Sequence, residues 1–261
     1  MARVKEGSYM RRLGRLLLLM TCLLALAACG GDDEETQGGT SAASESPLTV
    51  SAAASLTEVF PKIDSTARYN FAGSDELATQ IREGAPADVY AAASSKHPQA
   101  LYDEGLVEEP VTFASNRLVL LVPADNPRGI ETVQDVARPG TKLVIAAEGV
   151  PVGDYTREVL GELQLAGALD NVVSNEDDVK GVVGKVSLGE ADAGFVYATD
   201  ATVAGDEVSV IELPEGSQPP IEYQIAVVKS SENNEAAEAF VQNVRGMEGQ
   251  QALEAAGFVL P

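Results

Sequence analysis

The chain has 261 residues, 45% of them hydrophobic, with 40 acidic side chains against 18 basic ones, a formal net charge of −22, one histidine and two cysteines. The surplus of carboxylates excludes nucleic acid as a partner, because phosphate backbones demand basic patches. One histidine excludes a multi-histidine metal site and weakens most hydrolase readings.

Residues 1–28 read as a targeting segment. Arg3, Lys5, Arg11, Arg12 and Arg15 make a basic start, and the run from Leu16 to Ala28 is apolar apart from Thr21 and Cys22. That run falls short of the roughly 20 apolar residues a permanent span needs and matches a signal-peptide core. It ends in Leu26-Ala27-Ala28-Cys29, which resembles a bacterial lipoprotein cleavage box. The resemblance implies that Cys29 becomes the lipid-bearing first residue, anchoring an exported protein to the outer face of the cytoplasmic membrane. Residues 29–46, rich in Gly, Ser, Thr, Asp and Glu, bury too little surface to fold and read as a flexible tether. Losing residues 1–28 removes five bases and one acid, leaving 13 bases against 39 acids.

From Leu48 the pattern alternates. A strand over residues 48–53 precedes a helix from Ser55 to about Thr66. Strand Tyr69–Phe71, helix Asp75–Glu83, strand Asp88–Ala92 and helix His97–Glu104 follow. Repeated βαβ units predict parallel-rich sheets with helices on both faces. Arg117–Pro123 is a continuous apolar strand, fully buried or crossing between lobes. The second set predicts a helix near Thr132–Val136, strand Lys142–Ala146, helices Tyr155–Leu165 and Val179–Leu188, and strand Ala193–Tyr197. Strand Ile221–Val228 and helices Glu235–Arg245 and Gly249–Ala256 close the chain. The fold class is therefore α/β with two lobes. Residues 47–116 and 224–261 are assigned to lobe 1 and residues 117–223 to lobe 2.

Five segments stand where polar groups converge on a cleft: Ala53–Thr57, Phe71–Ser74, Val150–Tyr155, Asp177–Val179 and Gly194–Tyr197. The first four are read as helix starts, which carry unpaired N–H groups and partial positive charge, so several aimed at one point make an anion site without lysine or arginine. In open α/β sheets such ligands sit at the carboxyl ends of strands. Ser55 with Glu58 spells a capping box, and Ser74 after Gly73 reads as an N-cap or as a ligand donor. At Val152 and Val179 the contact would be a main-chain N–H. Tyr197 ends an apolar strand and could donate its phenol proton across the cleft. Asp75 and Glu76 suit a first helical turn, yet place two carboxylates near the expected anion unless they point outward. His97, before Pro98, reads as a surface residue, and Asp88 as a group that fixes local structure. No Gly-x-Ser-x-Gly elbow, Walker loop or dinucleotide loop occurs.

Several stretches together resemble the molybdate-binding proteins of molybdate ABC transporters. They are Ala52–Thr57, Phe71–Ser74, Gln80–Val89, Asn116–Leu120, Val150–Tyr155, Gly194–Ala201, Glu222–Ala226 and the ending from Glu248 to Phe258. The resemblance implies a type II periplasmic-binding-protein fold with two inter-lobe crossings that closes on a tetrahedral oxyanion. It implies ligand contacts at Ser55, Ser74, Val152, Val179 and Tyr197, no cofactor, no catalysis, no metal beyond the oxyanion itself, an ABC permease as partner and a monomer. Alternatives are a receptor of the same fold for sulfate or phosphate, a secreted hydrolase, or a sensory lipoprotein.

Overall fold

The computed structural model describes residues 47–261, so the expected signal segment, the tether and Cys29 lie outside the described residues. Two five-stranded mixed sheets carry the fold. The first contains β1 (Thr49–Ala53), β2 (Arg68–Ala72), β3 (Val89–Ala92), β4 (Val111–Asn116) and β10 (Ile221–Val227) in the order β2-β1-β3-β10-β4. The second contains β5 (Leu118–Pro123), β6 (Leu143–Ala146), β7 (Val172–Glu176), β8 (Ala193–Tyr197) and β9 (Val208–Glu212) in the order β7-β6-β8-β5-β9. Each sheet is parallel where βαβ units build it, β1 with β2 and β3, and β6 with β7 and β8. Each also takes in one antiparallel strand from the crossings. β10 runs against β3 and β4, and β5 runs against β8 and β9.

The chain passes from the first sheet to the second at Arg117, between β4 and β5, and returns between β9 and β10. β10 is one continuous strand, so the expected lobe boundary at 223/224 falls inside it. All six residues of β5 are buried, because the strand lies between β8 and β9 under covering helices. Each large aliphatic side chain there contributes about 1.5–3 kcal/mol by leaving water. That is why its sequence is continuously apolar rather than alternating.

The helices are α1 (Phe60–Ile63), α2 (Ser74–Arg82), α3 (Lys96–Asp103), α4 (Pro151–Glu162), α5 (Val179–Ser187), α6 (Ala198–Ala204), α7 (Asn234–Arg245) and α8 (Met247–Ala255). Two expected elements are corrected. The predicted helix from Ser55 to Thr66 is a three-residue 3-10 turn, Ala54–Leu56, followed by the short α1. Helix α4 begins at Pro151 rather than Tyr155. Pro151-Val152-Gly153 reads locally as a turn, but proline at the first helical position loses only an N–H that would be unpaired anyway. The stretches that form β4, β7, β9 and α6 carry no assignment in the sequence reading. β4, β7 and β9 are edge strands of five or six residues, whose pairing is decided by a neighbour distant in sequence.

Contacts bridge the two sheets' layers. Lys96 Nζ meets Asp154 Oδ2 at 2.7 Å, His97 Nε2 donates to the Gly149 carbonyl at 2.9 Å, and Asn116 Nδ2 donates to Thr199 Oγ1 at 2.9 Å. His97 is only 9% exposed, which corrects its reading as a surface residue. Burial lowers its pKa, so the neutral ring is the favoured form. Asp88 does organise its surroundings. Its carboxylate accepts from Thr49 N–H at 2.7 Å and from the Ser231 hydroxyl at 2.6 Å. Among the described residues no helix is long and apolar enough to cross a membrane.

Candidate functional site

Ser55, Ser74, Val152, Val179 and Tyr197 line one cavity between the two sheets' layers. Each arrives there for a local reason. Ser55 follows β1 on the 3-10 turn, where Ala53 is the N-cap and no side chain caps. Ser74 is the first residue of α2, capped by Gly73. Val152 and Val179 occupy the first turns of α4 and α5. Their N–H groups have no partner inside their own helices, as helix geometry dictates. Tyr197 is the last residue of β8, immediately before α6.

Neither serine acts as a helix cap, which corrects both capping readings. The Ser55 hydroxyl lies 2.9 Å from the Tyr223 hydroxyl. Ser74 Oγ accepts from the Ala93 N–H at 3.1 Å, and Tyr90 holds the Ser74 carbonyl with a 2.6 Å hydrogen bond. With its oxygen occupied by Ala93, the Ser74 hydroxyl is left with its proton to give. The Tyr197 hydroxyl is buried and has no hydrogen-bond partner among the described residues. Burial first, then nearby tyrosines and carboxylates, push its pKa well above the ordinary value, so it stays protonated and is a donor in waiting. A buried polar group is almost always paired. At the cavity wall its proton is free to be donated.

Among the described residues no lysine, arginine or histidine lines this cavity. The acidic member, Asp178, is occupied as the N-cap of α5, accepting from Gly181 N–H at 2.9 Å. Asp75 and Glu76 do not line it. They border a separate hollow with Glu83 and Asp177, and Glu76 is exposed and bonded to Gln80 at 2.9 Å. Asp75 is half-buried, with its Oδ1 buried and without a partner among the described residues, 2.7 Å from where a methyl group on Gly73 in the cavity wall would stand. The cavity leaves about 20 Å³ for the centre of a water molecule. That is a small hollow, on the scale of a small ion and far below the several hundred Å³ of a typical organic-ligand pocket. Among the described residues no group of His, Cys, Asp and Glu is placed to hold a metal ion directly.

Behind the cavity, Asp200 is 2% exposed and neither carboxylate oxygen has a hydrogen bond of good geometry. Lys180 Nζ stands 3.4 Å away. Burial raises the Asp200 pKa to about 6, and the Lys180 charge opposes that rise. Neither Asp200 nor Tyr223 stands out in the sequence as part of a site. Tyr223 falls inside a matched stretch but is separated from Ser55 by 168 positions, and no local signal reports such a pairing.

The family model for bacterial extracellular solute-binding proteins matches residues 48–259. The chain belongs to this family. Among relatives of this solute-binding protein, the molybdate-binding protein ModA of Mycobacterium tuberculosis is 36% identical over 224 residues, covering 82% of this chain and 85% of that one. ModA of Escherichia coli is 30% identical, covering 84% and 91%. The solved periplasmic molybdate-binding protein of Azotobacter vinelandii superposes with a TM-score of 0.72 at 25% identity, covering 82% of this chain and 99% of that one. The two-lobed α/β architecture of the solute-binding protein is thus the one expected from the sequence.

Proposed function

We propose that this solute-binding protein is the extracytoplasmic receptor of a molybdate ABC transporter. It captures molybdate, and tungstate with it, between its lobes and presents the closed form to a permease of the cytoplasmic membrane. It works as a monomer, without catalysis or a cofactor, exported and tethered by a lipid on Cys29. The observation that carries the reading is the unpartnered, buried Tyr197 hydroxyl facing the same cavity as two serines and two helix starts. The names and coverage of the relatives point the same way.

Neutral donors suffice for a dianion. A hydrogen bond to a charged partner contributes about 1.5–3 kcal/mol, so five contribute roughly 8–15 kcal/mol before ordering costs. Nanomolar affinity requires about 12 kcal/mol. The hydroxyls of Ser55, Ser74 and Tyr197 and the N–H groups of Val152 and Val179 supply that number of donors. The protein's own negative charge does not forbid binding, because surface charge is screened within about 8–10 Å while these donors act at contact. Size then separates molybdate and tungstate from sulfate, since a closed cavity holds its donors too far from the smaller ion.

Calorimetry with molybdate, tungstate, sulfate and phosphate tests this. Tight binding of the first two with sulfate at least about a hundredfold weaker is expected, a gap of some 2.7 kcal/mol. Sulfate binding as tight as molybdate removes the assignment.

A further inference from the structure

Tyr223 stands directly behind Ser55 and is fully buried. Its ring is packed edge-on among Phe113, Tyr197 and Phe258, with centroids 6.1, 5.7 and 5.2 Å away. Its hydroxyl is hydrogen-bonded to Ser55 Oγ at 2.9 Å. Resting on the receptor reading above, we infer that Tyr223 is a positioning residue that donates its proton to Ser55 and thereby turns and polarises the Ser55 hydroxyl toward the bound oxyanion.

The direction of that hydrogen bond follows from what surrounds it. A phenol has one proton, and here the ring neighbours offer it no acceptor other than Ser55 Oγ. If Ser55 donated instead, the phenol proton would be stranded in an aromatic pocket, and a buried donor without an acceptor is costly. Burial, the largest influence, pushes the Tyr223 pKa well above its usual value, so the proton stays on the phenol. Once Ser55 Oγ has accepted it, its own hydrogen is excluded from that side, and the cavity is where an acceptor can be met. A hydroxyl that accepts one hydrogen bond donates the next one more strongly.

The test replaces Tyr223 with tyrosines fluorinated to increasing degree and measures molybdate affinity by calorimetry at neutral pH, alongside Tyr223→Phe. A more acidic phenol is a stronger donor, so affinity should climb steadily with fluorination, by about two- to fivefold across the series. Tyr223→Phe should weaken binding by about three- to tenfold, the loss of one neutral hydrogen bond. In a Ser55→Ala background the dependence on phenol acidity should vanish. A flat series, or affinity that falls as the phenol becomes more acidic, overturns the inference. The fluorinated residues are nearly isosteric, so the series reads out even if Tyr223→Phe fails to fold. Wild-type protein that binds no molybdate defeats the receptor reading itself and this inference with it. Wild-type binding with a flat series defeats this inference alone.

Discussion

On the receptor reading, the Tyr197 hydroxyl is a donor kept for the ligand. That hydroxyl is buried without a partner among the described residues, and a buried polar group left unpaired costs about 1–3 kcal/mol. Tyr197→Phe should therefore leave thermal stability unchanged or raise it, while weakening molybdate binding by about ten- to a hundredfold, the loss of one hydrogen bond to a charged partner. Ser55→Ala and Ser74→Ala should each weaken binding at least about tenfold without unfolding the protein, read by the same titration. Asp200 carries a different burden. Its folded pKa of about 6 lies above the ordinary 3.8, so the folded state holds the proton more tightly than the unfolded chain. Stability then falls as pH rises from 3.8 to about 6 and stays reduced above it. Asp200→Asn should raise the melting temperature in mildly alkaline buffer, and the gain should shrink as pH drops below about 6, where the wild-type carboxyl is already neutral.

Helix starts, rather than charged side chains, bring donors to the cavity, and their placement depends on close backbone contacts. Gly153, in the first turn of α4, shows this. A methyl group there would stand 2.2 Å from the Ala147 carbonyl and 2.5 Å from that of Ala146, both rigid main-chain atoms at the end of β6. The bare backbone is what allows α4 to seat against β6 and present the Val152 N–H. Gly153→Ala must push the helix outward, and it should lower both the melting temperature and molybdate affinity, the latter by more than tenfold, as differential scanning and calorimetry would show. The neighbouring Pro151 and Gly153 made this segment look like a turn. In isolation they favour one equally, and only packing against β6 selects the helix.

Closure of the whole molecule is written into the contacts that cross the cleft. Gly73 lies against the other layer so tightly that an added methyl would sit 2.6 Å from the Asp177 carbonyl. Its own backbone, at φ −58 and ψ 140, is one that alanine adopts freely. Gly73→Ala should therefore fold normally but resist full closure, weakening molybdate binding several-fold, since a ligand shifts the balance only by its preference for the closed form. X-ray scattering should show the mutant remaining extended at molybdate concentrations that compact the wild type. His97 and Lys96 join the same two layers through Gly149 and Asp154.

The alternating strands and helices, the buried β5 and the five polar segments could all be read from residues 48–261, because burial and helix-start chemistry leave local periodic marks. The sequence also placed Ser55 and Ser74 at segment starts but misjudged their partners. Local pattern offered capping, whereas the folded chain supplied Tyr223 and Ala93. The edge strands β4, β7 and β9, the burial of Asp75 Oδ1, the burial of His97 and the unpaired Tyr197 hydroxyl are all decided by neighbours far away in the chain. A short segment reports its own propensity and periodicity. Which proton faces the cavity, and which carboxylate turns away, depends on atoms that only folding brings within hydrogen-bonding distance.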